Sequence, residues 1–565
     1  MANKREMTPI YVTITILFAA FLILPLAVLF IRSFETDQGV GLSNYISVLS
    51  NPKLVESIWN SVKISSLTAV ITTVAAFILA YSINCTRIFQ PLKGAIKIGI
   101  LIPMLLPTIT YGFAIIYSFG KQGLITQVLG RDLFEIYGFN GLLIGYVIYT
   151  VPAAFLLINN SFQYIDKKFI IVSKLMADGV LRSSTNTIVR PLLGTLGGAF
   201  VLSFILSFTD FGIPASIGGT YNVVATQLYQ VMLGSIPNFN HGAVIAILML
   251  VPALFAVFLL AYLEKFNFHY DKFSEIELME NKLRDAFLGF ISAVIILGIV
   301  SVFAVMFIAP FMNGFPYDLT FTSKHFAEVF ESKDLIAVYK NSLMIAFFTA
   351  VIGTLIAYSS AVLNVRTSLK GRKSFDLVSM ITNTVPGMVL GLSYLLLFNS
   401  SSLKGTFLII ILCNIVHYFT TPYLMAKNSL AKMNPSWETT GELLGDSWFK
   451  TIYRVVLPNS ASTVIEMFSY YFINAMVTIS GIIFLVSAKT AVVASKIQEL
   501  QHFAKFNEIF VLSILIFFTN LFVKLFCGYM QKKQLTTVFH RRSIDKKTDK
   551  KFIIKNFRKV RKNNV

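Results

Sequence analysis

The sequence predicts an all-α, polytopic membrane protein of about twelve transmembrane helices, arranged as two parallel six-helix repeats. Three observations predict it. Of 565 residues, 55% are hydrophobic and 13% charged, with a mean hydropathy of +0.70. A soluble domain carries about 25% charged residues. Charge-poor runs of about 20 residues recur, the length that crosses a hydrocarbon core as a helix. Finally, several short motifs occur twice in the same order, the mark of an internal repeat.

The spans fall at 10–32, 60–83, 97–119, 140–162, 194–216, 243–264, 286–309, 341–363, 376–397, 405–426, 460–486 and 509–529. The first is an uncleaved span rather than a secretion signal. It is too long for the apolar core of a signal, contains Pro25, and has no small-residue cleavage site. Lys and Arg concentrate in alternate loops: Arg87 and Lys93; Lys167, Lys168, Lys174, Arg182 and Arg190; Arg366, Lys370, Arg372 and Lys373; Lys427, Lys432, Lys450 and Arg454. Loop 217–242 has none. The positive-inside rule places the basic loops and both termini in the cytoplasm of a bacterial plasma membrane. Residues 531–565 hold 13 Lys/Arg against two Asp, more than half of the net charge of +20. Beside a span, such a tail is an anchor on anionic lipid rather than a nucleic-acid arm.

The polar stretch Lys265–Asp285 divides the spans six and six. The expected organisation is a first repeat at 1–265, a linker at 266–285, a second repeat at 286–530 and the tail. "NSVKISSLTAVITT" at Asn60 pairs with "NSLMIAFFTAVIGT" at Asn341, and "PLKG" at Pro91 with "SLKG" at Ser368. "PTITYG" at Pro107 pairs with "PGMVLG" at Pro386, and "NVVATQ" at Asn222 with "AVVASK" at Ala491. An even span number gives both copies one orientation, so they are parallel repeats enclosing a central path.

The fifth match lies between the fourth and fifth spans of each half: "KLMADGVLRSSTNTIVRP" at Lys174 and "ELLGDSWFKTIYRVVLP" at Glu442. In the second copy Asn434 can cap a helix with Pro435 in its first turn. Gly445 turns the chain without a Cβ penalty. A second helix, Trp448–Val456, is expected to present Phe449, Ile452 and Val456 on one face. The product is a short helix across the cytoplasmic surface, joined to a span and suited to a partner's groove.

This segment resembles the glutamate–alanine–alanine…glycine signature of the permease subunits of binding-protein-dependent ABC importers. Thr439, Thr440, Gly445, Leu457 and Pro458 occupy its pattern, with Glu438 one residue before the usual glutamate. Asp446 follows the glycine. The first copy offers Ser173, Ala177, Asp178, Gly179 and Pro191, with Ala177 in the glycine's place and one residue more before its proline. "SFTDFGIPASIGGTYNVVATQLYQ", Ser207–Gln230, looks like the fused two-copy permeases of ferric-iron and 2-aminoethylphosphonate importers. The resemblance implies a type I importer fold, two copies of an ABC ATPase seated on the two segments, and a separate extracytoplasmic solute-binding protein.

No phosphate-cradling G-x-x-x-x-G-K-[ST] is present; "GTLGGAF" at Gly194 lacks the lysine. The chain is therefore not expected to be an enzyme or to bind a cofactor, with ATP and magnesium left to the partner. Three cysteines and six histidines lie without metal or redox spacing. Charged and polar residues within spans are candidates for the pathway. Asp210, Tyr470 and Asn474 are placed near its outer mouth, with Glu466 nearer the cytoplasm and Lys63 opening the second span. An acidic lining would suit a cationic or zwitterionic solute. Two competing readings are weaker. An ion-coupled twelve-span secondary transporter would carry a characteristic loop after its second span, which "NCTRIFQPLKGAI" does not match. A membrane scaffold without transport is the other.

Overall fold

The computed structural model describes residues 4–36, 39–162, 164–165, 168–263, 265 and 281–562, so most of the expected linker lies outside the described residues. The first half contains α1 (Lys4–Phe18), which continues through a π turn into α2 (Leu24–Phe34), then α3 (Ser43–Leu49), α4 (Pro52–Cys85), α5 (Gln90–Gly99), α6 (Thr108–Phe119) and α7 (Leu124–Leu129). It goes on with α8 (Phe139–Phe162), α9 (Lys168–Leu175), α10 (Val180–Ser184), α11 (Leu193–Thr209), α12 (Gly212–Ile217), α13 (Val224–Leu233) and α14 (Phe239–Leu263). The second half contains α15 (Lys282–Ile308), α16 (Lys324–Glu331), α17 (Lys333–Arg366), α18 (Ser374–Thr384), α19 (Gly387–Phe398), α20 (Phe407–His417) and α21 (Thr420–Ala431). It ends with α22 (Ser436–Leu443), α23 (Trp448–Thr451), α24 (Leu457–Val477), α25 (Val493–His502) and α26 (Phe506–Lys562). Two small antiparallel hairpins, Glu35–Thr36 with Gly39–Val40 and Met312–Gly314 with Asp318–Phe321, follow the first span of each half.

The all-helical membrane fold stands, but several expected rods are broken. Among the described residues seven helices are long and apolar enough to cross a membrane, or eleven if four bent pairs each count as one. The remaining expected span, 460–486, is α24. It is long enough at 21 residues, is made polar by Glu466 and Asn474, and stops at Val477. The third span of each half is bent at its proline, by 113° between Gln90–Leu105 and Thr108–Leu129 and by 103° between Ser374–Thr384 and Gly387–Phe398. Pro107 and Pro386 supply no N–H to the preceding turn and hold extended backbone there. The glycine five residues later explains the repeated motif. A Cβ on Gly112 would collide with Ser216, and one on Gly391 with the carbonyl of Gly481. Each bent helix thus packs tightly against the segment that follows the fifth span.

Matched motifs also bond to each other. Asn60 donates from Nδ2 to Asn222 O at 3.2 Å, and Asn341 to Ala491 O at 3.1 Å. Ser61 Oγ accepts the N–H of Val224 at 2.8 Å, and Ser342 Oγ that of Val493 at 2.8 Å. In each half the second span is tied by the same two bonds to the start of the helix that precedes the last span.

The first span of each half crosses to the other. α1 and α2 pack on α17, α19 and α14. Tyr394 donates to Phe21 O at 2.6 Å and Tyr11 to Gly371 O at 3.2 Å. Reciprocally, α15 packs on α4, α5 and α6, with Ser292 and Ser82 hydroxyls 2.9 Å apart and the rings of Phe303 and Tyr111 at 5.1 Å. Asn520 Nδ2 donates to Leu105 O at 3.0 Å and Gln501 Nε2 to Ala215 O at 3.2 Å, closing the seam between halves.

Candidate coupling segments and solute pathway

The two loop segments share one turn. Two residues beyond the ends of α9 and α22 stands a residue with left-handed backbone, Ala177 at φ 55° and Gly445 at φ 78°. The next N–H bonds back five residues, Asp178 to Ser173 O at 3.1 Å and Asp446 to Gly441 O at 2.9 Å. This is a Schellman closure, in which glycine is the usual left-handed residue. The acidic residue then pairs one turn on, Asp178 with Arg182 at 3.4 Å and Asp446 with Lys450. Ser173 also donates to Asp178 at 2.8 Å. Just before the turn each copy exposes two large apolar side chains. Leu175 and Met176 are 81% and 72% exposed, and Leu443 and Leu444 are 83% and 77% exposed. Gly179 follows the first turn, and Thr439 and Thr440 lie along α22, where Thr440 Oγ1 donates to Ser436 O at 2.9 Å.

Asn434 does cap its helix, accepting the N–H of Ser436 at 2.9 Å. The expected apolar face after Gly445 does not form. Ile452–Val456 is a π turn, whose wider winding rotates the face. Trp448, Thr451 and Val456 are buried while Phe449 is exposed. Glu438, despite its shifted place, meets Arg366 in a two-pronged ion pair, at 2.5 Å from Nε and 2.6 Å from Nη2. Arg366 closes α17, and the sequence had marked it only as one of the basic residues of its loop.

Asp210 and Thr478 terminate α11 and α24 with nearly identical extended backbone, φ/ψ of −71°/137° and −69°/139°. The Asp210 carboxylate accepts the N–H groups of Ile213, at 2.8 Å, and Gly212, and the hydroxyl of Thr108. It is therefore a helix cap as well as a buried acid. Around it stand Tyr111, Tyr146 and Tyr149, and Tyr149 in turn faces Tyr418 and Tyr470 of the other half. Asp210 and Tyr470 are thus brought to one seam through Tyr149. Tyr149, Tyr418 and Tyr470 are each half-buried. Asn474 turns its amide back to Tyr470 O at 2.8 Å. Glu466 and Lys63 are exposed, and Lys63 lies over the Phe139 ring. Tyr470 was a candidate from sequence, whereas Tyr111, Tyr146, Tyr149 and Tyr418 were missed. In the register set by Ser161 and Ser429, which accept from Thr195 and Thr463 alike, Tyr149 corresponds to His417 and Thr150 to Tyr418.

The chain is thus a predominantly helical, multi-pass membrane protein with paired surface turns. It is similar to known transport proteins. Residues 350–534 match the family of the binding-protein-dependent transport system inner membrane component. The chain is 27% identical over 500 residues to the putative ferric transport system permease protein FbpB 1 of Haemophilus influenzae, covering 85% of this chain and 78% of that one. It is 26% identical over 505 residues to the ferric transport system permease protein FbpB of Actinobacillus pleuropneumoniae, covering 86% and 72%. A shorter stretch of 179 residues is 29% identical to the molybdenum transport system permease protein ModB of Azotobacter vinelandii, covering 30% of this chain and 77% of that one. Residues 350–534 thus match the inner-membrane component of binding-protein-dependent transport systems, and most of the chain is similar to ferric transport permeases.

Proposed function

We propose that this permease moves a small solute inward, receives it from an extracytoplasmic binding protein, and is driven by two copies of an ABC ATPase. The observation that carries the reading is the pair of matching tips, Leu175–Met176 and Leu443–Leu444, each held out on a closed turn. Exposed apolar pairs on otherwise polar, basic loops are what a docking groove would cover. On this reading the tips, both termini and the tail face the cytoplasm. The repeats run 1–265 and 286–530, joined by 266–285. Closure of the ATPases on ATP draws the tips together and opens the seam outward; hydrolysis lets it relax inward. Ferric iron is the leading solute, because the ferric permeases align over most of this chain, with 2-aminoethylphosphonate next. Asp210, Tyr470 and Asn474 are proposed to border the path.

Co-purification with the cognate ATPase tests the docking. Two ATPase copies per permease are expected. Leu443→Asp with Leu444→Asp should remove one, and adding Leu175→Asp with Met176→Asp the other. Retention of both copies by the fourfold variant defeats the reading. Calorimetry of the binding protein against ferric ion, 2-aminoethylphosphonate and polyamines decides the solute.

A further inference from the structure

We propose that the two coupling segments are mechanically unequal: the second is a rigid lever locked to its membrane helices through Arg366, and the first is hinged. Three independent observations carry this. The first is the lock itself. Besides its two bonds to Glu438, Arg366 donates to Met433 O at 3.0 Å and Asn434 O at 2.9 Å, so it grips α22 and the loop before it together. Its side chain is 3% exposed and that of Glu438 11%. A two-pronged pair this enclosed fixes orientation as well as distance. The corresponding helix of the first half ends in the same way. α4 and α17 have equal length, and Thr86 and Thr367 donate back to Ser82 O and Leu363 O. The position of Arg366 is there Cys85, and that of Glu438 is Ile170, so these two positions cannot form the same ion pair.

The second observation is the joint between segment and span. α23, the π turn and α24 form one uninterrupted helix from Trp448 to Val477. In the first half Arg182–Val189 and Leu193–Thr209 are separated by a break and bent by 71°. The additional residue of the first copy falls in this stretch, between Ala177 and Pro191. The third observation is the scaffold behind each segment. In the second half Lys427 pairs with Asp376 at 2.6 Å, Tyr423 donates to Asp376 at 2.7 Å, and Asn364 donates to Tyr423 at 2.6 Å, lacing α17, α18 and α21. Phe155 and Asn159 stand in the places of Tyr423 and Lys427 in the first half, where Asn84 and Asn159 share a neutral bond at 2.8 Å.

Displacement of the second tip therefore moves α17 and α24 as one body, whereas the first tip can tilt without carrying its span. Arg366 is a positioning residue in this scheme. The inference depends on the docking reading only for the source of the force, and its test separates the two. Hydrogen exchange of the full-length chain, without any partner, should find amides of 436–444 protected at least about tenfold more than those of 168–175. Arg366→Ala should erase that difference, Arg366→Lys should recover part of it, and Arg366→Glu with Glu438→Arg should restore it. In the complex with its ATPase, maleimide labelling of Tyr470→Cys should respond to ATP-vanadate trapping. Arg366→Ala should abolish that response while the ATPase stays bound and active. Equal exchange of the two segments, or an unchanged vanadate response in Arg366→Ala, overturns the proposal. Failure of the ATPase to bind the unaltered chain overturns the docking reading alone, and the exchange result still decides the inequality.

Discussion

At Ala177 an L-residue occupies left-handed backbone that its counterpart Gly445 enters freely, and nothing lies within 4 Å of a Cβ built on Gly445. Strain alone therefore separates the two positions, about 1 kcal/mol for a Cβ in this region. Ala177→Gly should stabilise the detergent-purified chain by about that amount and Gly445→Ala should destabilise it equally, read as opposite shifts in thermal unfolding. Close approach gives a different outcome. Gly391 faces backbone, the carbonyl of Gly481, whereas Gly112 faces the side chain of Ser216, which can rotate away in part. Gly391→Ala should cost about 3 kcal/mol and yield little monodisperse protein, and Gly112→Ala should be milder. The repeated Pro-to-Gly step was legible in the sequence. The reason for the glycine was not, because its neighbour lies 104 positions away in the first half and 90 in the second.

Elements in the two halves are fastened by the same bonds, so equal lesions should have equal effects. Ser61→Ala and Ser342→Ala each strand a buried N–H, of Val224 or Val493, at a cost of about 1–3 kcal/mol. Matching losses in thermal stability are expected, and a difference larger than the error would deny the equivalence of the second spans. The second half adds an ionic tie without a copy in the first. Lys496 on α25 meets Asp334 at 2.8 Å, at the start of α17, and Glu499 at 2.7 Å. Burial pushes the ammonium down, but Asp334 and Glu499 outweigh it and raise its pKa above the ordinary lysine value. Its folded value being raised, the tie is at full strength below about pH 10.4 and is lost as pH climbs through the elevated value. Amide exchange in 493–502 should quicken there, and Lys496→Met should remove the pH dependence. Helix existence was plain from hydropathy. The prolines at 107 and 386 were visible in the sequence as a repeated motif, but turns beyond 100° were not, because proline weakens a turn without setting its angle.

Across the whole molecule the exchanged first spans make each half incomplete alone. α1–α2 covers α19 and α14, and α15 covers α4 to α6. Residues 1–265 and 286–565, expressed as two chains in one cell, should therefore co-purify, and either chain alone should be degraded. Stable accumulation of one alone would refute the mutual dependence. The same arrangement brings Asp210 of the first half and Tyr470 of the second to a common seam through Tyr149. Asp210→Asn keeps an acceptor for the N–H groups of Gly212 and Ile213 but removes the charge. Uptake should fall while thermal stability shifts by less than about 1 kcal/mol.

By itself the sequence determined the helical membrane class, the paired organisation of motifs, and the two loop segments with a glycine turn in the second. Those properties are written in local composition, spacing and backbone preference, each within one stretch of chain. Only the tertiary structure decided that the spans are broken, that the first span of each half lies on the other, and that Arg366 grips Glu438. Hydropathy records which solvent a segment prefers. It carries no direction, and contacts between residues far apart in the chain are set by how the helices pack.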